Sequence, residues 1–224
     1  MNAGRNILVA GTAVLAAFAA VGCSADGSSS KGARSAGASD TVTYHADYPA
    51  YSSLDDVIEK SDAVVEGTVV GTRVQKLVPD APAGDNPATN PQAGLSPAEA
   101  KAARKAAEEN PVIVTVSKVK VTRAIAGKVA VGDTIEVSQL GGTYHGVAYQ
   151  EKDTTMLAKG GQRYVLMLAA HGKSPYDLLN PEQALYTVKA DGTVKAVSVG
   201  GFTDAGKVDQ LAVKADRIVR NRTR

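Results

Sequence analysis

The chain has 224 residues, with 25 Lys and Arg against 23 Asp and Glu, a formal net charge of +2. So even a balance argues against nucleic acid as a partner and against broad electrostatic adhesion to a membrane surface. With one cysteine and no tryptophan, neither an internal disulfide nor a thiolate metal site is possible, and the core must come from Val, Leu, Ile and some of the eight tyrosines.

Met1 to Asn6 carries one basic side chain, Arg5, and Ile7 to Ala20 is free of charge. Ala20-Val21-Gly22-Cys23 then brings small residues and the cysteine together. A basic start, a short apolar run and a small-residue cleavage site compose an export signal. The apolar run is too short for a transmembrane span, which needs roughly 20 residues. Its closing AVGC resembles the lipobox of bacterial lipoproteins, with Ala20 where leucine is commoner. That resemblance implies removal of residues 1–22, cleavage between Gly22 and Cys23, and a diacylglyceryl group on the Cys23 thiol. It also implies a place at the cell membrane, facing outside the cytoplasm and held through the lipid on Cys23. Each buried methylene contributes about 0.8 kcal/mol, so two long acyl chains anchor stably. Residues 23–40 follow as a Ser/Gly/Ala linker, whose composition predicts a flexible tether averaging about 20–25 Å in reach.

One domain is expected over 41–224. Ser53 with Asp56 three residues on predicts a capped helix before Lys60, with Leu54, Val57 and Ile58 as its apolar face. Residues 61–78 are rich in Val and Thr and predict a strand, in which Gly67 and Gly71 mark bulges or bends. Residues 79–111 carry Pro79, Pro82, Pro87, Pro91, Pro97 and Pro111 and read as an insertion in a strand-to-strand connection. Within it, Ser96-Pro97-Ala98-Glu99 opens a helix whose apolar face is only alanine. Val112, Val114 and Val116 share one parity and Val119 and Val121 the other, so the apolar phase is expected to flip near Ser117-Lys118, at a bulge or where the strand curls between two sheets. Thr134 to Leu140 alternates, with Ile135 and Val137 inward and Glu136 and Ser138 outward; a long loop follows. Tyr164 to Leu168 is apolar at every position and predicts a central strand covered on both sides. Asp191-Gly192 turns a hairpin, and Val208, Leu211, Ala212, Ala215, Ile218 and Val219 lie at helical spacing.

Over 61–170 the order SDAVVEGTVV, VTVSKVKVTRAIAGKVAVGDTIEVSQLGG and LAKGGQRYVLML resembles a family of uncharacterised bacterial exported proteins. It is similar, more distantly, to the netrin-like module of tissue inhibitors of metalloproteinases, an oligonucleotide/oligosaccharide-binding (OB) type barrel. The resemblance implies a mainly β fold, an OB-like small β-barrel with flanking short helices. Those inhibitor modules carry disulfides and act through an N-terminal cysteine. Cys23 here is committed to lipid and far from the domain, so the fold is carried over and no functional residue is.

His45, His145 and His171 have no metal-site spacing, and no H-E-x-x-H, G-x-S-x-G or phosphate-loop pattern exists. No catalytic residue, metal ligand or cofactor is therefore assigned. Tyrosine joins an apolar ring to a hydrogen-bonding tip, which suits ligand contact. Tyr144, His145 and Tyr149 are the candidate contacts, with cover for the barrel end as the alternative role. The chain is thus expected to be a non-enzymatic, lipid-anchored binding or interaction module with a protein or cell-wall partner. An exported hydrolase, or a metal or small-ligand carrier, is the alternative.

Overall fold

In a computed structural model of the chain, the structure describes residues 40–77, 94–109 and 112–222. The signal segment, the tether and the proline-rich part of the 79–111 insertion lie outside the described residues.

Local sequence sets the first elements. Strand β1 (Thr41–Tyr44) leads to helix α1 (Leu54–Lys60), capped by Ser53, whose Oγ accepts the Asp56 N–H at 3.1 Å. Asp55 and Asp56 occupy its first turn, where negative charge suits the helix dipole, and Leu54, Val57 and Ile58 are buried. The β-branched runs form strands β2 (Ala63–Leu77) and β3 (Val112–Gly127), paired antiparallel along nearly their whole length. Between them, helix α2 (Pro97–Glu109) opens on a reciprocal cap. Glu99 N–H donates to Ser96 Oγ at 3.3 Å, and Ser96 N–H donates to Glu99 Oε2 at 2.8 Å. Its described side chains are almost all exposed, as an alanine face predicts.

Strands β4 (Thr134–Leu140), β5 (Gly142–Tyr144), β6 (Val147–Glu151), β7 (Arg163–Ala169), β8 (Tyr176–Leu178), β9 (Leu185–Val188) and β10 (Val194–Ala196) follow, then helix α3 (Val208–Arg222). The fold is mainly β. Among the described residues, seven strands order as β10-β9-β7-β2-β3-β4-β8, and β1-β6-β5 make a second, three-stranded sheet. Strand β8 has two partners. It runs parallel to β4, with Ser138 beside Asp177, and antiparallel to β7, with Leu168 beside Leu178.

Strand β7 explains why its sequence is apolar throughout. Val165 and Met167 enter a cluster with Leu54, Val57 and Ile58 of α1 and Leu211 and Ala215 of α3. Tyr164, Leu166 and Leu168 enter a second cluster with Val65, Val119, Val121, Val137 and Leu185. Each face of one strand thus feeds a separate core, and a fully buried Leu, Val or Met stabilises by about 1.5–3 kcal/mol.

Three expectations are amended. The phase of β3 does not flip: Ile113, Thr115, Ser117, Val119 and Val121 are all buried, while Val114 and Val116 are buried and Lys118 and Lys120 are exposed. Two-sided cover simply narrows to one-sided cover. The associated bulge lies on the partner strand, where Val70 is the extra residue between the pairs Val69↔Val119 and Gly71↔Lys118. Finally, the expected long loop after β4 holds the β5–β6 hairpin, and β8 lies in a stretch that carries no strand pattern in the sequence.

Candidate functional site

Side chains alternate across a strand, so β4 sends Val137 into the second core and Ser138 and Leu140 to the opposite face. Register places Val114 of β3 opposite Leu140 and Asp177 of β8 beside Ser138. On this face lies a cavity of about 410 Å³, lined also by Tyr48, Leu77, His171 and Leu179.

Tyr48 arrives from the segment between β1 and α1, which is fastened to the turn before β9. Asn180 Nδ2 donates to Pro49 O at 3.0 Å, Tyr51 N–H donates to Gln183 Oε1 at 2.9 Å, and Gln183 Nε2 donates to Tyr51 O at 3.0 Å. These three bonds fix Pro49 and Tyr51 on that turn and hold Tyr48 over the cavity wall. Its hydroxyl is bonded to Thr154, and Thr154 Oγ1 donates to buried Glu151 at 2.8 Å.

The opposite wall carries the ionisable pair. His171 Nε2 lies 3.2 Å from Asp177 Oδ2, and the two side chains are 54% and 51% exposed, at the cavity rim. Asp177 also accepts a hydrogen bond from Ser138. Desolvation raises the Asp177 carboxyl above its ordinary range, against the opposing pull of His171 and Ser138. Burial likewise raises the Tyr48 phenol; its bond to Thr154 works the other way, and the charges of Glu151, Asp177 and Asp153 raise it further.

The residues singled out in the sequence stand elsewhere. Tyr144 and His145 form the tip of the β5–β6 hairpin, with ring centroids 4.2 Å apart and edge to face. His145 has φ 48° and Gly146 φ 83°, the left-handed pair that a two-residue hairpin turn demands. Tyr149 stacks on Tyr44 at 5.8 Å, and Tyr44 Oη accepts the Ile113 N–H at 2.9 Å, tying the small sheet to β3. None of the three lines the cavity. Gly22 and Cys23 lie outside the described residues. Sequence reasoning missed Ser138, His171 and Asp177 as a group; a serine on the polar face of an alternating strand was the signal in hand. Among the described residues no three His, Cys, Asp or Glu side chains gather as a metal site would require, and no helix is long and apolar enough to cross a membrane.

Compared with known proteins, the chain matches no family model and no curated protein.

Proposed function

We propose that this chain is a lipid-anchored binding module, held outside the cytoplasm by Cys23, that takes a small ligand in the cavity beside β4 and β8. The carrying observation is the cavity itself, which combines largely apolar walls with a few converging polar groups and falls in the size range of about 300–1,000 Å³ typical of ligand sites. The strand pairings support an OB-type barrel as its frame. Read in ring order, β2-β3-β4-β8-β7 returns to β2, with β4 and β8 the parallel pair. In such barrels the ligand face spans the second and third strands together with the loops after the first and fourth. Here β3 and β4, the end of β2 at Leu77, and the stretch holding His171 all contribute to the cavity.

A hydrolase is the second reading, because Ser138, His171 and Asp177 share the cavity lining. In a Ser-His-Asp relay, however, the imidazole bonds to both partners. Here the carboxylate does, so the serine hydroxyl spends its proton on Asp177 rather than being drawn toward a base.

The test is a small-molecule fragment screen by NMR on the full chain, comparing wild type with Leu140→Trp, which fills the cavity. Bound fragments should shift resonances of Tyr48, Leu140 and Leu178 and lose those shifts in the variant. Hits scattered over other surfaces, or shifts that persist in Leu140→Trp, would remove the cavity as the site. Ester turnover abolished by Ser138→Ala would favour the hydrolase instead.

A further inference from the structure

Two residues of the cavity lining, Leu179 and Pro181, flank Asn180, which is buried and does not itself line the cavity. Its Oδ1 accepts the N–H groups of Glu182 and Gln183 at 2.8 and 2.9 Å, which shapes the turn before β9. Its Nδ2 reaches the other way and donates to Pro49 O at 3.0 Å. Gln183, also outside the lining, works as a fork that accepts from Tyr51 N–H and donates to Tyr51 O, as a strand partner would. Which end of each amide is oxygen follows from these partners, because a carbonyl only accepts and an N–H only donates. Both side chains therefore grip the backbone of the segment that brings Tyr48 and Pro49 to the cavity. The apolar lining elsewhere is borne by strands, with Leu77, Val114, Leu140, Ala169 and Leu178 fixed in sheet pairings. Tyr48 and Pro49 belong to neither helix nor strand, so the place of their backbone depends on side-chain amides.

Resting on the cavity as the ligand site, we infer that Asn180 and Gln183 are positioning residues that set the length of apolar chain the cavity accepts. In a largely apolar cavity each added methylene of a ligand gains about fourfold in affinity until the chain end meets a wall, and nothing beyond it. A wall held in place stops the chain. A wall free to move yields to a longer chain but must be ordered at each binding event, so short chains bind less tightly. Hydrogen-bond chemistry separates the two tasks of Asn180. Asn180→Asp keeps both acceptor contacts within the turn and loses the donor to Pro49 O, setting a carboxylate oxygen against a carbonyl. Gln183→Glu likewise keeps the acceptor for Tyr51 N–H and loses the donor to Tyr51 O.

The experiment is an NMR titration of the full lipidated chain in zwitterionic nanodiscs with the n-alcohols from butanol to decanol, empty discs calibrating the free alcohol. Shifts at Leu140 and Leu178 read occupancy. In the wild type, affinity should climb about fourfold per methylene and then level off at one chain length. In Asn180→Asp and Gln183→Glu the levelling point should move by about two methylenes or more to longer chains, the packing gain passing further along the ligand. The shortest alcohols should bind these variants about fivefold more weakly, the loss expected of one hydrogen bond. A merely structural role would weaken every alcohol alike and leave the levelling point in place. Thermal midpoints report whether each variant folds, and a move in one variant alone narrows the assignment to that residue. The assignment is overturned, with the cavity standing as the site, if affinity climbs to decanol without levelling, if the levelling point is unchanged in whichever variants fold, or if neither folds. If no alcohol shifts Leu140 and Leu178, or if the Leu178 shifts persist in Leu140→Trp, the cavity reading falls and the assignment with it.

Discussion

Single residues expose the energetics most cleanly at Tyr186. Its ring is fully buried, its hydroxyl donates to Gln183 O at 2.8 Å, and burial pushes its pKa up from 10.0 to about 12. The folded state therefore holds this proton more tightly than the unfolded chain does. The resulting stability is fully present below pH 10 and is lost as pH climbs through about 12. Two pKa units correspond to about 2–3 kcal/mol, measurable as a falling urea midpoint across that window. Tyr186→Phe should cost about 1 kcal/mol at neutral pH through the lost hydrogen bond, and should flatten the alkaline decline. An equally steep decline in the variant would assign it to other groups. The importance of Tyr186 was only partly legible beforehand. Its place in a strand was readable from the hairpin pattern around Asp191-Gly192, but its neighbours come from α1 and α3, which no local window connects.

Among the elements, the β2–β3 pair carries the irregularities that shape everything beside it. A Cβ at Gly67 would stand 2.6 Å from Val119 Cγ1 and 2.7 Å from the Lys120 carbonyl oxygen, whereas at Gly71 the nearest atom is Lys118 Cδ at 3.7 Å. Gly67→Ala should therefore destabilise by about 1–3 kcal/mol, because a backbone oxygen in a paired strand cannot step aside. Gly71→Ala meets only the Lys118 side chain, at ordinary contact distance, and should change stability by about 0.5 kcal/mol or less. Chemical denaturation of the two variants side by side checks this, and similar losses would mean that conformational freedom, not close approach, is what both glycines supply. Capped helices, long β-branched strands and the doubly covered β7 were legible because each is a local pattern. Strands β1, β5, β6 and β8 were not. They span three to five residues, too few for a periodicity, and their pairing depends on partners far along the chain.

For the molecule as a whole, sequence and structure divide the work. AVGC carries the proposed anchor, and Cys23→Ala should abolish incorporation of a fatty-acid analogue in growing cells and leave the precursor uncleaved. Equal labelling of wild type and variant would dismiss the anchor. The cavity was illegible from sequence for a physical reason: Ser138 and Asp177 are neighbours only because β4 and β8 lie parallel, and no spacing in the chain announces that contact. Strand β8 is held by two residue pairs to each of its partners, against seven between β3 and β4. It is a zip fastener closed by very few teeth, and Asp177 and Leu178 are at once its teeth and part of the cavity wall. A molecule seated there grips both sides of the fastening, so occupancy and the opening of β8 are two readings of one equilibrium. Amide exchange at Tyr176–Leu178 should slow on filling in proportion to affinity, which makes the weakest stretch of sheet the chain's own gauge of its ligand.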